Sequence, residues 1–202
     1  MVILGMALVS LLVAAPAEKL KNEKITSLEY RLKPGELATM DGRPSVTVYF
    51  DNGSLELSTH SRGAERSSVK RGDVVFYPGP SAEVRNMGSS DLKFVRTEFL
   101  TEGGRENWGK TGLAPNYTLL IENQYARVYD IKIEAGAREP QHTHHARVVV
   151  CLSGAQLKHL MPDGREEPSS LKTGEVTWRL GATHIGQNLG STDLWVIAIE
   201  PK

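Results

Sequence analysis

The chain has 202 residues, with 24 Lys+Arg against 24 Asp+Glu and 40% hydrophobic residues. That length suits one large domain or two small ones with a sizeable core, and the composition is not that of a disordered chain. A formal charge of zero argues against a nucleic-acid partner, because phosphate binding needs a basic excess or stripe. The 19 glycines and 10 prolines suit many turns. The single cysteine, Cys151, excludes an intrachain disulfide framework and any multi-cysteine metal site.

Residues 2–14 carry no charge and precede the small-x-small triplet Ala15-Pro16-Ala17. This pattern predicts a secretory signal peptide over residues 1–17, a mature protein starting near Glu18, and a secreted or periplasmic location. The apolar run is short for a transmembrane helix, so no membrane span is expected once it is removed. No Lys or Arg follows Met1, unlike most such leaders.

Further along, the chain repeats itself. Gly72-Asp-Val-Val-Phe-Tyr-Pro-Gly79 and Asn86-Met-Gly-Ser-Ser-Asp-Leu92 match Gly174-Glu-Val-Thr-Trp-Arg-Leu-Gly181 and Asn188-Leu-Gly-Ser-Thr-Asp-Leu194 at one constant offset, which Glu98 and Glu200 extend. Two copies of one unit follow, at 25–100 and 115–202, with a Gly-rich linker at 101–114. Each copy reads as β. Val46–Phe50 and Ser54–Ser58 flank Asp51-Asn52-Gly53 as a hairpin, and Arg147–Leu152 and Ala155–Leu160 flank Ser153-Gly154. Tyr125–Glu134 alternates, whereas Leu194–Ile199 is an almost unbroken apolar run, as in a strand buried on both faces. No helical stripe is present after residue 17, so the fold class is all-β, a sandwich or small barrels.

Six histidines occur: His60, His142, His144, His145, His159 and His184. His142 and His144 alternate on a predicted strand and so face one side. His184 lies in the second repeated segment. Together they form a candidate three-nitrogen site for a divalent transition metal. His145 is expected to face away into solvent, and His159 to lie at the surface.

Gly136, five residues, His142, one residue, His144 and then Gly154 resembles the first motif of the cupin superfamily. Gly174 through Gly181, His184 and Asn188 resembles the second. With the repeat, the resemblance implies a bicupin: two tandem cupin-type (double-stranded β-helix, jelly-roll) barrels, the amino-terminal one degenerate. It implies one divalent transition metal (Fe, Zn, Mn or Ni, with Fe or Zn favoured) held by His142, His144 and His184. The family's usual glutamate ligand is missing, since Arg147 or Val148 stands there, which resembles the three-histidine iron sites of the thiol-dioxygenase branch. Arg179 stands where Pro is common. A dioxygenase-type enzyme acting on a small molecule is therefore one expectation. A non-enzymatic exported ligand-binding or structural bicupin with a vestigial metal site is the other.

Arg147 is read either as a surface residue or as a clamp for a substrate carboxylate. Trp178 is read either as core or as a lining of the barrel mouth. In the amino-terminal copy Ala82 replaces His184. Matching Gly35 to Gly136 sets Asp41 and Arg43 opposite the other two histidines, so this copy is expected to lack a site and to bury its open face on its neighbour. Cys151 reads as a small buried residue, and Asn52-Gly-Ser54 and Asn116-Tyr-Thr118 match glycosylation sequons. The protein is expected to be a monomer or homodimer.

Overall fold

The computed structural model describes residues 13–61, 63–101, 103 and 113–202. Most of the predicted signal segment and most of the linker lie outside them. All regular structure among the described residues is β. The first half contains β1 (Ala17–Lys21), β2 (Ile25–Leu32), β3 (Leu37–Met40), β4 (Ser45–Tyr49), β5 (Gly53–Thr59), β6 (Gly63–Val69), β7 (Val74–Tyr77), β8 (Ala82–Asn86) and β9 (Leu92–Phe99). The second contains β10 (Tyr117–Glu122), β11 (Ala126–Ile133), β12 (His142–His144), β13 (Arg147–Ser153), β14 (Ala155–Leu160), β15 (Glu166–Leu171), β16 (Val176–Arg179), β17 (Ala182–Asn188) and β18 (Leu194–Pro201).

The repeat in sequence is a repeat in topology. The first half forms a five-stranded sheet, β1-β2-β9-β4-β7, and a four-stranded sheet, β3-β8-β5-β6. The second forms β10-β11-β18-β13-β16 and β12-β17-β14-β15, the same orders with every label advanced by nine. The repeated asparagines explain why these residues recur. Asn86 donates from Nδ2 to the carbonyls of Leu32 and Ser90, both at 2.8 Å, and accepts from the Gly88 N–H at 2.9 Å. Asn188 does the same with Ile133, Thr192 and Gly190. One buried amide thus closes the turn after β8 and β17 and satisfies three backbone groups. Asn188, although part of the second motif, serves the turn.

Side-chain alternation then divides the apolar residues among three cores. On β13, Val148, Val150 and Leu152 face one cluster while Val149 and Cys151 face another. The first cluster also holds Ile25, Val46, Val48 and Val95, so the two five-stranded sheets pack face to face. The other faces pack on the four-stranded sheet of their own half. Strands covered on both sides become continuous apolar runs, which is why Leu194–Ile199 does not alternate. The halves therefore meet through the backs of their large sheets. The amino-terminal half does not bury its open face, contrary to the expectation from sequence. Across this seam Trp195 lies on the backbone of Gly72, where an added Cβ would come within 2.3 Å of the indole, and Arg71 donates to the Leu152 carbonyl at 2.6 Å.

Candidate functional site

The strand β12 is short, and its three residues pair with β17 as His142↔His184, Thr143↔Thr183 and His144↔Ala182. Alternation turns both β12 imidazoles inward and leaves Thr143 exposed. His184 faces the same interior from across the ladder. All three rings are buried, and their ligating nitrogens lie within 4.8 Å of one another.

Backbone carbonyls set the tautomers. His142 Nδ1 is 3.0 Å from the Pro140 carbonyl and His144 Nδ1 is 3.0 Å from the His145 carbonyl. A carbonyl only accepts, so both Nδ1 atoms carry the proton and both Nε2 atoms present a lone pair to the cavity. His142 Nε2 accepts from the Tyr117 hydroxyl at 3.0 Å. His144 Nε2 is buried with no partner. Burial, reinforced by the Arg147 guanidinium, pushes His144 down to about 3. Burial and the surrounding imidazoles push His184 to about 3 as well. Neutral imidazoles with convergent lone pairs, one of them orphaned, are the donor set a divalent transition metal takes. The arrangement is compatible with metal binding.

His144 and His184 sit in the wall of a cavity of about 380 Å³, at the small end of the range for small-molecule sites. Arg147 and Trp178 both line it. Arg147 begins β13 opposite Arg179 of β16, and it is buried, not at the surface. Its Nη1 donates to the Tyr117 oxygen at 3.3 Å. Arg179 also lines the cavity.

Three expectations change. His159 is not at the surface: its ring stacks on His184 with centroids 4.3 Å apart, and it lines the cavity. His145 is half-buried, and its N–H donates to Glu200 Oε1 at 3.0 Å. The Asn116 sequon is engaged, because its amide donates to the Lys132 carbonyl and to Glu139 Oε1. Sequence reasoning also missed Tyr117, noticed only inside that sequon, and Glu139. The carboxylate of Glu139 lies over Gly186, where a Cβ would stand 2.2 Å from Oε2.

The corresponding positions of the amino-terminal half carry other residues. Met40 pairs with Ala82 as His142 pairs with His184, so Met40 stands at the His142 position and Gly42, two residues on, at that of His144. Asp41 and Arg43 are each one residue out of the register assigned from Gly35, because the second half carries one more residue before β12. The Arg96 guanidinium lies beside these positions. It donates to Ser45 Oγ at 2.8 Å, to the Asp41 and Arg43 carbonyls at 2.6 and 2.9 Å, and to the Glu98 carboxylate. A cavity of about 160 Å³ remains in this half, lined by Met40, Leu55, Val84 and Phe94 among others.

No protein-family model matches the sequence, and no curated protein is similar enough to count as a relative. Solved structures do match. AerE from Microcystis aeruginosa superposes with a TM-score of 0.62 at 14% identity, covering 94% of this chain and 97% of that one. A cupin 2 conserved barrel domain protein from Leptotrichia buccalis gives 0.59 at 14% identity, covering 94% and 89%. Bacillus subtilis oxalate decarboxylase, an enzyme with Mn(II) centres, gives 0.57 at 17% identity, covering 88% and 69%. The chain shares the fold of these three structures, among them the cupin 2 barrel. No helix among the described residues is long and apolar enough to cross a membrane.

Proposed function

We propose that the chain is a bicupin of two tandem jelly-roll barrels, degenerate in the amino-terminal one, that binds one divalent transition metal through His142, His144 and His184. The observation that carries this reading is the convergence of three buried, neutral imidazoles on one point, with the Nε2 of His144 left without a partner. Three neutral ligands leave coordination positions open, which favours a reactive site over a purely structural one. An ion held there would supply Lewis acidity or, as iron, oxygen chemistry. The chain's own residues do the rest: Arg147 and Tyr117 orient a small-molecule ligand beside the histidines, and Trp178 and Leu180 border the mouth. Iron or zinc is favoured by the imidazole set, and manganese is the metal of the oxalate decarboxylase of the same fold. We also propose export after removal of residues 1–17, which amino-terminal sequencing of the native protein tests.

The metal reading is tested by metal content per chain after reconstitution with Fe, Zn, Mn and Ni. Wild type should hold about one ion, and His142→Ala, His144→Ala and His184→Ala should each lose high-affinity binding. His60→Ala, remote from the cavity, should bind as wild type does. One ion per chain in His184→Ala, or none in wild type, refutes it.

A further inference from the structure

The cavity beside the three histidines is built in two unlike parts. Its polar end holds Arg147 and Tyr117. Its floor is apolar, with Ile131, Val149, Leu157, Leu171, Leu194 and Val196 from five different strands. We infer that the ligand of this site is a monocarboxylate with an apolar body, its carboxylate on Arg147 and Tyr117 and its hydrocarbon on the floor. The inference deepens the proposed function and rests on the same cavity.

Arg147 carries the argument. A buried guanidinium is normally matched by a carboxylate, because an unpaired charge away from water is strongly unfavourable. Other buried or half-buried cations have such a match, as Arg96 has Glu98, Lys93 has Glu29 and Arg127 has Glu122, whereas the half-buried Arg179, which lines the same cavity, has none and adds to its positive charge. Arg147 is only 9% exposed and forms no salt bridge, and its Nε is buried with no hydrogen-bond partner. The nearby carboxylates are turned to other groups. Glu139 accepts from Asn116, Glu167 from Arg165 at the rim, and Glu200 from the His145 N–H. Burial raises Glu200, an effect the hydrogen bond from the His145 N–H and the charge of Arg147 offset in part. The three imidazoles add no negative charge. The site therefore holds a cation with a planar fork of donors and calls for an anion to match it, which a carboxylate does by two parallel hydrogen bonds.

The floor decides what the anion is attached to. A second carboxylate on this floor would lie against valine, leucine and isoleucine, away from Arg179, which pairs with Arg147 across the β13–β16 ladder at the polar end, and that is unfavourable. A hydrocarbon chain gains from the same surface. The site thus separates this chain's ligand from a small dicarboxylate such as oxalate.

Calorimetric titration of the full-length protein with straight-chain monocarboxylates from acetate to octanoate, the matching alcohols, succinate and oxalate tests this, with metal content measured on the same samples. Affinity for the acids should rise about three- to fourfold per methylene until the cavity is full. Alcohols of equal length should bind at least about tenfold more weakly, because they forgo the charge-assisted pair. Arg147→Gln should bring acid and alcohol to the same affinity, and Val149→Phe, which shortens the floor, should move the optimum to a shorter acid. A flat chain-length series, or oxalate or succinate binding as tightly as octanoate, overturns the inference, and the wild-type series alone decides this if a variant fails to fold. A flat series in metal-loaded protein defeats this inference and spares the metal reading. A rising series in protein that takes no metal does the reverse.

Discussion

Replacing Arg96 with methionine removes the buried cation of the amino-terminal half. Arg96 is fully buried, and its guanidinium serves Glu98, Ser45 and two backbone carbonyls. Without it the buried Glu98 carboxylate keeps only Arg43, at 3.9 Å and half-exposed. Breaking a buried ion pair by removing one partner costs about 3–5 kcal/mol, against a total stability of about 5–15 kcal/mol for a typical domain. For a chain of this size that corresponds to a fall in Tm of about 6–20 °C. Urea unfolding at fixed pH measures it. Burial already raises the Glu98 pKa, Arg96 lowering it in part. Losing Arg96 raises it further. The folded variant then binds a proton that the unfolded chain releases above the ordinary 4.5, so its stability falls as pH rises through the folded value. The deficit relative to wild type should therefore shrink on acidification towards 4.5. The double variant Arg96→Met with Glu98→Leu should recover most of the loss, because no charge is left unpaired. A cost below about 1 kcal/mol, within the range of exposed pairs, or a double variant no better than the single one, refutes the reading of Arg96 and Glu98 as a coupled buried pair.

Other outcomes follow from the same geometry. Gly72→Ala should cost more than Gly35→Ala: both have positive φ, but only at Gly72 does the new Cβ strike the Trp195 indole, and Trp195→Leu should relieve the difference in urea midpoints. Burial raises the Glu29 carboxyl, but the hydrogen bonds from Arg31 and Lys93 outweigh it and hold the group below its usual range. That stabilisation is complete above 4.5 and disappears as pH falls through the lowered value, so Glu29→Gln should flatten the acid limb of a stability–pH profile. The Cys151 thiol, pushed up to about 11 by burial, should resist a thiol reagent in the native protein and react on unfolding. His159→Leu should weaken metal binding by about tenfold or more through loss of the ring stacked on His184, as removal of supporting groups around metal ligands does, read as a shift in the metal titration midpoint.

The fold was legible because its signals are local. The Asn-x-Gly-Ser-x-Asp turns recur, and each turn asparagine makes the same three hydrogen bonds in both halves. Period-2 alternation placed His142 and His144 on one face. What escaped is what depends on chain segments distant in sequence. His159 looked like a surface residue because its strand alternates ordinarily, and only the β14–β17 ladder, pairing it with Gly186, brings its ring onto His184. Tyr117 precedes the histidines by some 25 residues, and nothing local marks its hydroxyl as a partner of His142. The register of β3 was off by one because glycine spacing does not reveal an inserted residue, whereas the pairing Met40↔Ala82 does.

A duplicated chain nevertheless carries a further signal, since each half is a control for the other. In the register that the sheets enforce, Ser45 and Tyr77 pair as Arg147 and Arg179 do. At that offset most interior positions keep their character, such as Leu55 with Leu157 and Leu92 with Leu194. The positions that change in kind include Met40 to His142, Gly42 to His144, Ser45 to Arg147, Leu57 to His159, Tyr77 to Arg179, Ala82 to His184, Val84 to Gly186 and Arg96 to Ala198. Of the carboxy-terminal members, His144, Arg147, His159, Arg179 and His184 line the cavity, and Gly186 lies against its Glu139. Ala198 stands where the other half carries the buried Arg96. The exchange is reciprocal. One half buries an arginine on β9 with its own glutamate and keeps a smaller cavity of about 160 Å³ at the corresponding positions. The other empties that position and carries an arginine on β13 with no ion-pair partner. Packing alone would let both halves keep either solution. Keeping an unmatched buried cation in one of them makes physical sense where an anion arrives from outside the chain.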